Sequence, residues 1–145
     1  MSKISHLFEV PGYKIILLRR EIIPALQGFL ELCADYNQLV SGEPPSSSAA
    51  QNLLTECPPG RSSEDKVVIG ISAADGSLVG VLDAMRDYPQ EACWWVGLLL
   101  LDPSRRNQGL GRQIYLSFER WVGQQGVKYI LLGVIEENEK AYRFW

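Results

Sequence analysis

Arg105, Arg106 and Arg112 surround two glycines in the segment Arg105-Arg106-Asn107-Gln108-Gly109-Leu110-Gly111-Arg112, a combination suited to holding an anion. The segment joins an apolar, strand-like run to an amphipathic helix. Free N–H groups at a helix start lie at the positive end of the helix dipole, so a phosphate there meets oriented backbone donors as well as side-chain charge. An ordinary helix entry needs neither glycine. Between positions 102 and 118 Asp102 is the only acid, although the whole chain carries a net charge of -3. A positive site in an acidic protein favours a small phosphorylated ligand over nucleic acid, which calls for a general basic excess.

Other chemistries find little support. His6 is the only histidine and stands near the amino end, which disfavours Ser-His-Asp and Cys-His mechanisms. Cys33, Cys57 and Cys93 are widely spaced and form no CxxC pair, so reduced thiols are expected rather than a disulfide framework or a zinc site, and no metal is expected. No run approaches the roughly 20 apolar residues of a membrane span, and the amino end lacks the apolar core of a secretory signal. A cytoplasmic protein without membrane partners is the expectation. A length of 145 residues suits one domain over 1–145.

The elements that must position the loop alternate between strand and helix. Residues 13–18 read as a strand and 21–40 as one helix, with Pro24 tolerable in its first turn. A Ser-, Pro- and Gly-rich stretch follows, interrupted by a short helix at Ala49–Thr55. Lys66–Ser72 and Leu78–Met85 are β-branched runs joined through Asp75-Gly76, which predicts an antiparallel hairpin. Cys93–Leu101 is a continuous apolar run expected to be buried on both faces. Leu110, Ile114, Phe118 and Trp121 then recur at helical spacing, and 127–135 reads as a second buried strand. The strand, helix, strand order predicts a parallel pair, with the loop at the carboxyl end of its first strand.

Spacing separates the glycine-loop families. A Rossmann fingerprint needs a third glycine where Ile114 stands, and a P-loop needs four residues between its glycines followed by Lys-Ser or Lys-Thr. Arg106-Asn107-Gln108-Gly109-Leu110-Gly111 instead resembles the Arg/Gln-x-x-Gly-x-Gly/Ala pattern of the GNAT acyltransferase superfamily. Asn138-Glu139-Lys140-Ala141-Tyr142-Arg143-Phe144-Trp145 resembles the Asn-x-x-Ala-x-x-Phe-aromatic helix that follows the next strand in that superfamily. The resemblance implies an α/β (α+β) fold with a central mixed, mostly antiparallel sheet, a splayed parallel strand pair and flanking helices.

It further implies an N-acetyltransferase that moves an acetyl group from acetyl-CoA to a primary amine by direct transfer. The alternative is a catalytically inactive CoA-binding regulatory or interaction domain. In relatives the loop holds the CoA pyrophosphate through backbone N–H groups, here Gln108, Gly109, Leu110, Gly111 and Arg112, with charge from Arg106 and Arg112. Backbone groups around Leu99 and Leu101 pair with the pantetheine arm and polarise the acyl carbonyl. Asn138 either contacts pantetheine or caps its helix. Trp94, Trp95 and Trp121 are expected in the core, an acceptor pocket being their other role. Asp35 and Asp83 are either base or amine anchor, or ordinary hydrogen-bonded acids.

Two departures from the pattern bear on catalysis. Many relatives place a tyrosine, a proposed general acid, where Trp145 stands, and an indole N–H is too weak an acid for that role. Tyr142, one turn earlier on the same helical face, is the substitute. Relatives also continue through two further strands, so a domain shortened at its carboxyl end is expected, or a homodimer in which a second copy covers the sheet edge. Acceptor identity is open, although Glu31, Asp35, Glu43 and Glu56 outnumber Arg61 in the segment 31–61, as a cationic amine would favour.

Overall fold

The computed structural model describes residues 7–132 and 144–145, and within them five strands form one sheet whose spatial order follows the chain. The strands are β1 (Lys14–Leu17), β2 (Lys66–Ser72), β3 (Leu78–Met85), β4 (Cys93–Leu101) and β5 (Tyr129–Leu132). Strands β1 to β4 pair antiparallel, and β4 pairs with β5 in parallel, giving the mixed sheet expected. The β2–β3 turn is closed by Gly76 at φ 89°, and Asp75 Oδ1 accepts from the Ser77 backbone N–H at 2.9 Å and its hydroxyl at 2.6 Å. Side-chain acceptor and positive-φ glycine together set this turn.

The helix predicted over 21–40 is in fact three pieces. A 3₁₀ turn at Arg20–Ile22 leads into α1 (Ile23–Leu32), and α2 (Ala34–Ser41) begins after Cys33, whose φ of -96° and ψ of 31° interrupt the helix. Pro24 lies in the first turn of α1, where its missing N–H costs nothing. The short helix α3 (Ala49–Thr55) and the long helix α4 (Leu110–Gly123) match their predicted extents. Among the described residues no helix is long and apolar enough to cross a membrane.

Each face of the sheet carries its own core. Strand periodicity sends Val67, Ile69, Ile71, Leu82, Ala84, Trp94 and Val96 to the face covered by α4, where Leu110, Ile114, Phe118 and Trp121 present the apolar stripe read from their spacing. Phe118 is fully buried and meets Phe8, Trp94 and Trp121, each with ring centroids 6.1 Å from its own. The opposite face, with Val68, Val81 and Leu100, is covered by α1 and α3 through Leu26, Phe29, Leu30 and Ala50.

Strand β4 departs from the uniformly buried run that its composition suggests. Cys93, Trp94 and Val96 are buried, but Gly97 is exposed and Leu98, Leu99 and Leu101 are half-buried. The change falls at a β-bulge: Val96 pairs with Ala84 and Leu98 with Asp83, leaving Gly97 as the extra residue. Pairing with β5 runs from Cys93↔Tyr129 to Val96↔Leu132, and no described residue of β5 lies beside the part of β4 after the bulge. Strand β5 is also less buried than expected, with Tyr129 at 60% and Leu131 at 41% exposure, because within the described residues no strand covers its far edge.

Phe118→Ala should destabilise the fold by about 3–5 kcal/mol, since it removes the ring at the centre of the aromatic cluster and leaves a cavity. A urea titration followed by tryptophan fluorescence measures the loss as a lowered midpoint with little change in slope.

Candidate active site

The loop between β4 and α4 is built largely by its own residues. Asp102 caps a 3₁₀ turn at Pro103–Arg105, accepting from the Ser104 N–H and hydroxyl, both at 2.8 Å. Gln108 Nε2 donates back to the Ser104 carbonyl at 2.9 Å and closes the loop. Asn107 and Gly109 both take left-handed backbone, at φ 62° and 83°, which asparagine tolerates and glycine adopts without strain. The chain thus turns sharply enough for α4 to start at Leu110.

Gly109 is the N-cap of α4 and has no side chain to satisfy the first-turn N–H groups. Gln113 N–H already donates to the Gly109 carbonyl at 3.1 Å, so the donors left for a ligand are those at the very start of the helix, Leu110 to Arg112. Gly111 plays a different part from Gly109. It is buried, and a Cβ there would meet Phe144 Cε1 at 3.4 Å and Leu101 Cδ1 at 3.5 Å, ordinary contact distances. A methyl group would thus fit beside Phe144 and Leu101, whereas backbone conformation is the constraint at Gly109.

The three arginines divide sharply. Arg105 donates to the Tyr13 hydroxyl at 3.1 Å and lies 5.8 Å from the centroid of that ring, so it is tied to β1 rather than solvated. Arg106 donates through Nε to the Leu101 carbonyl at 2.9 Å and grips both carboxylate oxygens of Asp35 in α2, at 2.5 and 3.2 Å. That bidentate bond holds the Asp35 carboxyl below its ordinary range and raises the guanidinium further. Arg112 is exposed and makes no hydrogen bond or ion pair among the described residues. Proximity in sequence could not separate a free cation from two committed ones.

Backbone direction on β4 decides which groups face the open side. Asp102 N–H donates to the Val79 carbonyl at 2.9 Å, and the register pairs Leu100 with Val81 and Leu99 with Leu82. Alternation in an antiparallel ladder then aims the N–H and C=O groups of Leu99 and Leu101 away from β3. The Leu101 carbonyl is taken by Arg106 Nε and by Cys33 Sγ, the latter at 3.4 Å, leaving Leu101 N–H and both Leu99 groups facing the space beyond the last β5 pair. Burial pushes the Cys33 thiol up to about 11 despite the nearby guanidinium, so it acts as a neutral donor.

Acidic side chains in 31–61 are less free than their number suggests. Asp35 is neutralised by Arg106, and Glu31 accepts from Gln27 Nε2 at 2.8 Å. Asp83 is an acid of another kind. It lies on β3 facing α1 and α3, its side chain is 16% exposed, and its Oδ1 stands 3.4 Å from Lys66 Nζ without an aligned hydrogen bond. Burial outweighs that cation and pushes its carboxyl up to about 6.

Trp94 and Trp121 fall in the core, whereas Trp95 is half-buried on the opposite face, edge-to-face with Tyr88 at 6.1 Å. Trp145 stacks edge-to-face on Tyr115 at 4.9 Å; burial, followed by Glu119, pushes the Tyr115 hydroxyl up to about 12, so it is protonated near neutrality and a weaker acid than a free phenol. Asn138 and Tyr142 lie outside the described residues. Sequence reading missed the Arg106–Asp35 clamp and the Gly97 bulge, although a lone glycine inside an apolar strand is a recognised bulge signal.

The family model of the Acetyltransferase (GNAT) family matches residues 30–145. No curated relative matches the chain significantly. Among solved structures, an acetyltransferase from Thermus thermophilus is 26% identical, with a TM-score of 0.75 over 92% of this chain and 82% of that one. A ribosomal-protein-alanine N-acetyltransferase from Brucella melitensis biovar Abortus 2308 shares the fold at 18% identity and a TM-score of 0.68, over 92% of this chain and 87% of its own. An aminoglycoside acetyltransferase from an uncultured soil metagenomic sample, in complex with sisomicin, does so at 18% identity and 0.65, over 92% and 84%. With a match from residue 30 to the last residue, joined to a glycine loop at the end of a parallel-paired strand, the chain belongs to the GNAT family of acetyltransferases.

Proposed function

We propose that this acetyltransferase transfers the acetyl group of acetyl-CoA directly to a primary amine, with the donor lying between the β4–α4 loop and the open side of β4. The uncapped start of α4, set by Gly109, carries the reading, because it offers convergent backbone donors where a pyrophosphate would sit. Gln108, Leu110, Gly111 and Arg112 contribute N–H groups, and Arg112 adds free charge. Leu99 and Leu101 offer backbone groups to the pantetheine arm, and one of their N–H groups supplies the oxyanion contact. Arg106, first read as a phosphate ligand, is better suited to holding the loop against α2. The thioester brings its own leaving group, so the protein's task is to orient an amine and stabilise developing charge. Asn138 keeps the pantetheine contact that the family implies, and Tyr142, one turn before the position where relatives carry a tyrosine, stands in as proton donor for the departing thiolate. Acetyl-CoA as donor and reduced thiols fit a cytoplasmic setting.

Acetyl-CoA at about 100 times its dissociation constant should stabilise the folded chain by about 2.7 kcal/mol, read as a rise of several degrees in thermal shift. A folded sample with no shift at millimolar acetyl-CoA overturns the reading. Free thiol released in the presence of a panel of primary amines separates a transferase from a CoA-binding domain without turnover.

Arg112→Ala should weaken acetyl-CoA binding about five- to tenfold by calorimetry, more at low salt, while leaving the ligand-free melting temperature nearly unchanged. Arg106→Ala should show the reverse emphasis, losing about 1–2 kcal/mol of stability; the 59% exposure of the Asp35 side chain lets solvent screen the pair and holds the loss to that range. Because Asp35 is held below its ordinary 3.8, this stability is present above that pH and is lost as pH falls through the lowered value. The gap between wild type and Arg106→Ala in urea midpoints should therefore hold from pH 7 to about 5 and shrink in stronger acid.

A further inference from the structure

The last peptide of β4 is pinned at both ends. Its N–H, that of Asp102, donates to the Val79 carbonyl at 2.9 Å, and its C=O, that of Leu101, accepts from Arg106 Nε at 2.9 Å and from Cys33 Sγ at 3.4 Å. A residue in an extended strand turns its N–H and C=O to the same side, so the Leu101 N–H stands beside the carbonyl that the guanidinium holds. Arg106 is held in its turn. Asp35 on α2 accepts from both of its terminal nitrogens, at 2.5 and 3.2 Å, which fixes the guanidinium plane and with it the direction of the Nε–H.

We propose that Asp35 is a positioning residue for acyl transfer: acting through Arg106, it holds the end of β4 in the orientation that aims the Leu101 N–H at the thioester oxygen. This rests on the acetyl-CoA reading above, with Leu101 rather than Leu99 making the oxyanion contact. Asp35 exchanges no proton in the reaction. It sets the place of a backbone donor from a helix that lies on the other side of the sheet from α4.

Charge and exposure argue against simpler roles. Asp102 is the only acid between positions 102 and 118, and a carboxylate brought from α2 onto an arginine of this loop weakens its field for a pyrophosphate. Affinity for the donor is therefore not what Asp35 supplies. The Asp35 side chain is also 59% exposed, and ion pairs so open to solvent contribute modestly to stability. What the pair adds is direction. Without Asp35 the terminal nitrogens of Arg106 have no acceptor among the described residues, and the guanidinium can swing to solvent or to a phosphate. A positioned group displaced by about 1 Å can cost about 100-fold in rate. Releasing one anchor of the strand end should thus lower kcat, while the helix-start N–H groups and Arg112 keep the donor bound.

The test reads the thioester itself. In the complex of the full chain with acetyl-CoA isotopically labelled at the acetyl carbonyl carbon, the infrared C=O stretch should lie below that of free acetyl-CoA, because a hydrogen bond to the oxygen polarises it. Asp35→Asn and Arg106→Lys should both lose most of that shift, with acetyl-CoA affinity within about threefold of wild type by calorimetry. Asp35→Glu, which again offers two oxygens to the guanidinium, should recover most of it. Thiol release at saturating acetyl-CoA with benzylamine, spermidine or a lysine-containing tripeptide should fall about 10- to 100-fold in kcat for Asp35→Asn and Arg106→Lys. Asp35 is exposed and Arg106→Lys keeps its charge, so both variants should fold, and circular dichroism at the assay temperature checks this. A lowered melting temperature with the stretch and kcat of wild type marks a purely structural pair and overturns the inference. Wild type that binds acetyl-CoA without shifting the stretch overturns it too, and amine acylation by that protein leaves the transferase reading standing; wild type that binds no acetyl-CoA overturns both.

Discussion

Arg106 joins three parts of the molecule through one side chain. Its Nε closes the end of β4 by bonding the Leu101 carbonyl, its two terminal nitrogens grip Asp35, and its own backbone begins the glycine turn. A planar guanidinium can do this because its donors have fixed directions, which a lysine ammonium lacks. The interruption at Cys33 belongs to the same device. A straight helix over 21–40 would not turn both Cys33 Sγ and Asp35 toward the end of β4, where one meets the Leu101 carbonyl and the other the arginine. The glycine loop is therefore supported from the helical layer on the opposite face of the sheet.

A second constraint comes from the backbone of β4. Before the bulge the strand is paired on both sides, which is why Trp94 and Val96 can be buried. After it, Leu99 and Leu101 keep their β3 neighbours in register while their own N–H and C=O groups turn away from β3. Backbone donors and acceptors left without partners are costly once water is excluded, and of these groups the Leu101 carbonyl is bonded by Arg106 Nε and Cys33 Sγ. Gly97, the extra residue of the bulge, marks the change, and a Cβ there would crowd the Asp83 carboxylate at 3.2 Å.

The parts legible in the sequence were those fixed by local chemistry or a long period. Asp75-Gly76 between β-branched runs located the β2–β3 hairpin, and the stripe Leu110, Ile114, Phe118, Trp121 located α4, because each signal lies within one element. The break at Cys33 was not legible: the apolar spacing of Ile23, Leu26, Leu30 and Cys33 continues across it, and the partners that favour the break come from residues about seventy positions away. The exposure within β4 and β5 is not legible for a related reason, since composition records how apolar a strand is but not where a bulge falls or which residues its neighbours cover. Glycine spacing marks the loop as a candidate anion site, yet the division of labour among Arg105, Arg106 and Arg112 depends on Tyr13 and Asp35, which the spacing does not contain.

The two ion pairs show how burial rather than partner identity sets what a carboxylate can do. Asp35 and Asp83 each face one basic side chain. Asp35 is exposed and bonded by two guanidinium nitrogens, so it stays ionised and contributes stability above its ordinary 3.8 that is lost only as pH falls. Asp83 is covered, its cation stands 3.4 Å away without an aligned bond, and desolvation raises its carboxyl to about 6. The sign of its linkage is opposite: its contribution to folding is full below 3.8 and is lost as pH rises through about 6, so at neutral pH the fold holds this carboxylate against its own stability.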